Sequence, residues 1–305
     1  MARPYLAAFP KGYFDALVHG ERSIYSWLDE AATLPLNGVE MYPDFYPDTD
    51  DQTIHAVYRY ADDAGLAIPM LCTSPDFTHP DASFRTQQVR WMAEWIARMA
   101  EAPNPQGFHS CRVLSGQNRP HVAEADGIRW VIDAIGDLLP VAERYGVHLV
   151  MENHYKDGQW EYPEFAQSLE RFRAIVQQID SPWFGVNYDP SNALVAGQDP
   201  IAVLRQFLPQ VLTMHASDRH LKPGFAVQHV TEFHGQGYPE ALEHGVIGQG
   251  LIDYPRVMSL LREAHFSGWI SIEDGVHGPA DLAASATFLV QILDEHFGVV
   301  DDLGL

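Results

Sequence analysis

Four stretches of the chain share one design: HLVMENH (residues 148–154), FGVNYDPSN (184–192), VLTMHASD (211–218) and WISIEDG (269–275). Each is a short apolar run that stops at a side chain able to bind a metal, namely Glu152, Asp189, His215 and Glu273. Runs of four to eight continuous apolar residues read as parallel β-strands covered on both faces. Four more such runs precede them, at residues 4–8, 38–41, 67–72 and 111–114. The strand cores of the quoted four are 147–151, 184–188, 211–214 and 269–272.

Between the strands the periodicity turns helical. Phe165, Leu169, Phe172, Val176 and Ile179 fall on one face of a helix predicted over 161–179, with Pro163 in its first turn. Helices are also predicted over 87–100, where Trp91, Trp95 and Met99 form a core stripe, and over 126–144 and 253–264. Gly38, Gly65, Gly146 and Gly268 stand where left-handed C-caps belong. Eight strand–helix alternations specify an α/β fold, a single (β/α)8 TIM barrel, spanning 1–305 as one domain. No GxGxxG follows the first strand, which removes the dinucleotide-binding alternative. The stretch 215–253 after strand seven is long, irregular and glycine-rich, and is expected to form a lid or substrate loop over the mouth of the barrel.

Composition narrows the function. The chain has 305 residues, 46% of them hydrophobic, enough for a large core. Asp and Glu total 41 against 19 Lys and Arg, a formal net charge of −22. Such a surface repels nucleic acid and anionic membranes and suits a neutral or cationic small molecule. Cys72 and Cys111, both in predicted strands and with no Cys-x-x-Cys, fit a reducing compartment. No signal-type apolar region opens the chain, and no apolar run is long enough to span a membrane, so a cytoplasmic location is expected.

A (β/α)8 barrel carries its chemistry at the C-terminal ends of its strands, where the four ligand-type residues fall. Three buried carboxylates in one place repel each other, and a divalent cation with an imidazole ligand relieves that repulsion. A donor set of three carboxylates and one imidazole favours Mn2+, with Mg2+ or Co2+ as alternatives.

The segments MENH, GVNYDPSN, TMHASD, GQGLIDYP and GWISIEDG, in this order, resemble the xylose isomerase-like TIM barrels, a grouping of sugar isomerases and epimerases, inosose dehydratases and endonuclease IV-type enzymes. The resemblance is strongest over 147–275, with GVEMY its main trace in the N-terminal half. It implies that Glu152, Asp189, His215 and Glu273 bind one divalent metal, and that Glu152 and Glu273 also exchange protons with substrate, as in the ketose 3-epimerase branch. Where that branch has a His, an acidic residue and an Arg for substrate, this chain has Asn192, Gly158 and Leu221. The function implied is a metal-dependent isomerase or epimerase of a sugar or keto-sugar, working through a metal-stabilised enediolate. The alternatives are a lyase or dehydratase on a 3-oxo sugar, 3-oxo glycoside or inosose, and a non-catalytic carbohydrate-binding barrel. A homodimer or homotetramer is the family-level expectation.

Further candidates surround the four ligands. Glu40, His154, Lys156, Asn192, Arg219 and His244 are expected to contact substrate, with His154 or His244 as the acid for a leaving group. Asp218 and Arg219 are expected as a rim ion pair, with His234 a further lid residue. Trp160 and Phe77 are candidates for stacking on a sugar ring, and Cys72 is expected to be an inert buried thiol.

Overall fold

The computed structural model describes residues 2–232 and 237–298. The strands, in chain order, are β1 (Tyr5–Ala8), β2 (Gly38–Val39), β3 (Met70–Cys72), β4 (His109–Val113), β5 (Val147–Glu152), β6 (Phe184–Tyr188), β7 (Val211–Ala216), β8 (Arg219–Leu221), β9 (Leu242–His244) and β10 (Trp269–Ile272). Eight of them form one parallel sheet in the order β2-β1-β10-β7-β6-β5-β4-β3. Bridges Gly38↔Ala67 and Met41↔Leu71 bring the two ends of that sheet together. The result is a nearly closed barrel with helices between the strands, the (β/α)8 architecture read from the sequence. β6, β10 and most of the other barrel residues are fully buried, as strands covered by helices must be. Among the described residues no helix is long and apolar enough to cross a membrane.

Three details of the sequence reading change. Residues 161–179 do not form one helix: a 3-10 turn, Phe165–Gln167, precedes the helix Leu169–Val176, which Ser168 caps by accepting from Arg171 N. Glu164 causes the break, because its carboxylate turns inward to accept from the Ser115 amide at 2.7 Å and the Ser115 hydroxyl at 2.5 Å. Gly65 and Gly146 do sit in the left-handed region, at φ +72° and +67°. Gly38 and Gly268 do not; each is small because a Cβ would come 2.5 Å from Ala67 O or 2.3 Å from Leu212 O. In the helix Ala82–Met99 the buried stripe is Met92, Trp95, Ile96 and Met99, while Trp91 is only partly buried.

The described part of the stretch 215–253 carries more regular structure than its glycines suggest. β8 and β9 pair antiparallel, with Arg219 opposite His244. The Asp218 carboxylate fixes the base of this hairpin by accepting from the amides of Gly248, Gly250 and Ile252 at 2.9, 3.0 and 3.1 Å. His234 lies outside the described residues.

Candidate metal centre

The four strand-end residues meet. Glu152 is the last residue of β5, Asp189 follows β6, His215 is the penultimate residue of β7 and Glu273 follows β10. All four are buried, and one donor atom from each lies within 4.8 Å of the others. Strand register produces this meeting, since Glu152 pairs with Asn187 and His215 with Ser271 across adjacent strands.

Each donor is aimed by a specific neighbour. Asp189 caps the helix Pro190–Val195: its Oδ1 accepts from the amides of Ser191 and Asn192 at 2.7 and 2.9 Å. The Ser217 hydroxyl lies 2.9 Å from both Asp189 oxygens. The Asp189 backbone is tied to Asn153, which donates to its carbonyl and accepts from its amide. His215 is held from below, with Nε2 2.9 Å from Glu40 Oε2. Its Nδ1 faces Glu152 Oε1 at 3.3 Å and Glu273 Oε2 at 3.2 Å, and although burial opposes charge, Glu40, Glu152 and Glu273 together raise the ring well above the usual histidine range. A histidine that gives one N–H to a carboxylate and points its other nitrogen into a carboxylate cluster has the arrangement of a metal-ligating imidazole.

Two cations absent from the sequence-derived site complete it. Arg112, on β4, donates from one Nη to Glu152 Oε2 at 3.0 Å. Lys11, in the short turn after β1, places Nζ 2.9 Å from Glu273 Oε1 and keeps a quarter of its side chain exposed. Their effect on the carboxylates is unequal. Burial pushes the Glu273 carboxyl up, but Lys11 and His215 outweigh it and hold Glu273 well below the usual carboxylate range. Burial also opposes ionisation of Glu152, which His215, His154 and Arg112 keep ionised. Asp189 has weaker help, since Arg219 and the Asn192 amide offset only part of what raises it. Burial, then the charges of Glu152 and Glu273, push its carboxyl up to about 6. A divalent ion among these four donors would offset the repulsion that Asp189 carries, and a set of three carboxylates and one imidazole suits hard or borderline metals.

The remaining candidates fall into three groups. Asn192 joins the centre, its amide donating to Glu152 Oε1 at 3.0 Å while its Oδ1 has no partner. Glu40 is buried beneath His215 and also accepts from Cys72 Sγ at 3.2 Å, so it supports a ligand rather than lining the mouth. The Cys72 thiol is pushed up to about 12 by burial and by Glu40, consistent with an inert thiol. His154 is buried with Nδ1 3.8 Å from Glu164 Oε2.

A second group gathers around Asp274. His244 Nδ1 is 3.1 Å from Asp274 Oδ1, and Arg219 is 3.6 Å from Asp274 Oδ2. The expected Asp218–Arg219 rim ion pair is not formed; Asp218 is occupied by backbone amides, and the carboxylate partner of Arg219 is Asp274. The third group lies apart. Lys156 donates to Glu161 O, and Phe77 is fully buried packing.

Lys11, Arg112, Ser217, Asn153 and Asp274 were not singled out from the sequence. Arg112 carried a legible signal, a lone cation inside the apolar run 111–114. Lys11 carried none, because its partner is 262 residues away.

Comparison with known proteins agrees with the barrel. An inosose dehydratase from Bacillus thuringiensis (strain Al Hakam) is 21% identical over 160 residues, covering 52% of this chain and 50% of that protein. The chain thus matches about half the length of such curated relatives. Among solved structures, a D-tagatose 3-epimerase-like protein superposes with a TM-score of 0.73 at 18% identity, covering 96% of this chain and 98% of the other. An IolI protein with a bound zinc atom superposes with a TM-score of 0.70 at 16% identity, covering 97% and 100%. The family model described as xylose isomerase-like TIM barrel matches residues 28–292, and the chain belongs to that family.

Proposed function

We propose that this protein is a divalent-metal-dependent enzyme of sugars or keto-sugars that moves a proton on the carbon beside a carbonyl, with isomerisation or epimerisation as the outcome. The observation that carries this reading is the convergence of Glu152, Asp189, His215 and Glu273 within 4.8 Å at the C-terminal end of the barrel. These four are the proposed ligands, and chain 1–305 is read as one catalytic domain. A bound divalent ion would supply Lewis-acid polarisation of the substrate carbonyl. Zinc in a structural neighbour supports a divalent ion, with Mn2+, Mg2+ or Co2+ our preferred candidates from donor chemistry.

The protein's own groups account for the proton transfers. Glu152 and Glu273 reach the centre from strands separated by β6 and β7, so they approach a bound substrate from two directions. One carboxylate removes the proton and the other returns one. Return to the same carbon from the opposite face inverts it, and return to the neighbouring carbon interconverts aldose and ketose. Arg112 and Asn192 fix Glu152, and Lys11 fixes Glu273, so each carboxylate is held ionised and in one orientation. Lys11, partly exposed beside Glu273, also has ammonium protons free in number to donate to a substrate oxygen that gains negative charge.

Elimination is the second reading, favoured by the inosose dehydratases among the matched relatives. There a leaving group departs after the same proton abstraction, and His154 or His244 would protonate it. The substrate class is a small carbohydrate, and a cytoplasmic homo-oligomer is our working picture of the enzyme. Incubating the metal-loaded protein with ketoses, 3-oxo glycosides and inososes in D2O, with products read by NMR, separates the outcomes. Deuterium at a carbon next to a carbonyl supports the proposal, a new alkene carbon selects elimination, and no exchange with any of these substrates rejects both.

A further inference from the structure

A cavity of about 480 Å3 lies at the C-terminal ends of β2, β3 and β5. Its walls include Tyr42, Asp44, Ser74, Trp91, Asp157 and Trp160. Its volume is within the range of about 300–1,000 Å3 usual for small-molecule sites. A short chain of hydrogen bonds connects it to Glu152. Arg112 donates one Nη to Glu152 Oε2 at 3.0 Å and the other to Ser74 Oγ at 3.1 Å. Ser74 in turn donates to Asp157 Oδ2 at 2.6 Å. Arg112 is therefore shared between the centre and the cavity floor.

The lining selects its occupant. Trp91 is partly buried and lies off the fully buried stripe of its helix; it packs on the edge of the core and also lines the cavity. Trp160 and Tyr42, at 8% and 7% exposure, supply two further aromatic walls. Asp44 and Asp157 add two carboxylates close enough that Asp44 is raised, first by its burial and then by the charge of Asp157. Paired carboxylates repel a phosphate or carboxylate group and accept hydrogen bonds from hydroxyls. Aromatic faces take the C–H face of a pyranose or an aryl ring. A neutral ring, hydroxylated or aromatic, satisfies all of these surfaces at once.

We propose that this cavity holds the second ring of a glycoside, the aglycone or a further sugar, while the first ring sits at the metal centre. The inference rests on the sugar-enzyme reading above and narrows it from free monosaccharides to glycosides. It gives Trp91 and Trp160 a role in specificity and places Arg112 between the two rings.

Calorimetric titration of the Mn2+-loaded full chain with matched methyl and phenyl β-glycosides of glucose, galactose and mannose tests it. The expected result is that at least one phenyl glycoside binds about tenfold or more tightly than its methyl partner, and that Trp91→Ala removes the preference while Trp91→Phe keeps it. A thermal melt and circular dichroism of each variant establish that it is folded. Equal binding of methyl and phenyl partners overturns the second-ring site and leaves the sugar reading standing. A preference that survives in folded Trp91→Ala overturns the site as well. Binding of neither series overturns the second-ring site, whereas the sugar reading itself falls only if the deuterium-exchange panel above shows no exchange.

Discussion

The two ends of the same barrel strands obey opposite rules. At its first residue β10 carries Trp269, which is buried and stacks on Tyr5 of β1 with centroids 5.0 Å apart. One residue past its other end stands Glu273, equally buried and paired to Lys11. On β5 the second residue, His148, packs between Phe108 and Trp183 at 4.8 and 5.0 Å, whereas the last, Glu152, faces Arg112 and His215. One end packs aromatic rings together, with Trp269 buried among them, which stabilises folding. The other buries charges, which is unfavourable unless each is partnered. Stability and chemistry are therefore carried by opposite ends of shared strands, and substitutions at the two ends should give separable defects.

The largest effect is expected at the charged end. Glu152→Gln or Glu273→Gln should lower exchange of the substrate C–H with deuterium by about 10^3-fold while the protein stays folded, as read by NMR in D2O and by thermal melts. Trp269→Ala should do the reverse. It should lose about 3–5 kcal/mol in urea denaturation and leave metal affinity unchanged in the folded fraction. Arg112→Met blurs the division, because it takes from the buried Glu152 the guanidinium bonded to its Oε2. A stability loss of about 3 kcal/mol in the metal-free protein, partly recovered on adding metal, is the predicted outcome. Glu40→Gln, which weakens the hold on His215 Nε2, should reduce metal affinity by about 10- to 100-fold in calorimetry with little change in stability. The smallest effect concerns pH. Asp189 is raised to about 6, so below that pH a proton competes with metal at its carboxylate. Affinity should therefore fall as pH drops through 6, by up to about tenfold per unit from this group, and Asp189→Asn should flatten that part of the profile.

The apolar end was the more legible of the two. Continuous runs such as 184–188 and 269–272 state their burial in every residue, so the barrel and its strand order followed from them. The four acidic and imidazole side chains were legible for the same reason, because each ends such a run. What partners them was not. Lys11 reaches Glu273 across 262 residues and Glu40 reaches His215 across 175, contacts made only when the barrel closes. Residues 161–179 misled because a helical apolar spacing survives in a segment that Glu164 bends by reaching Ser115. In the stretch 215–253 the glycines masked the β8–β9 pairing and the three amides of 248–252 that the Asp218 carboxylate gathers beside it.

The central claim is that one divalent ion is held by Glu152, Asp189, His215 and Glu273. Loading the protein with Mn2+, desalting it and counting bound metal by elemental mass spectrometry tests that claim directly. Close to one equivalent per chain is predicted for the parent protein, and none for folded Asp189→Ala/His215→Ala. A full equivalent retained by that double variant would contradict the account.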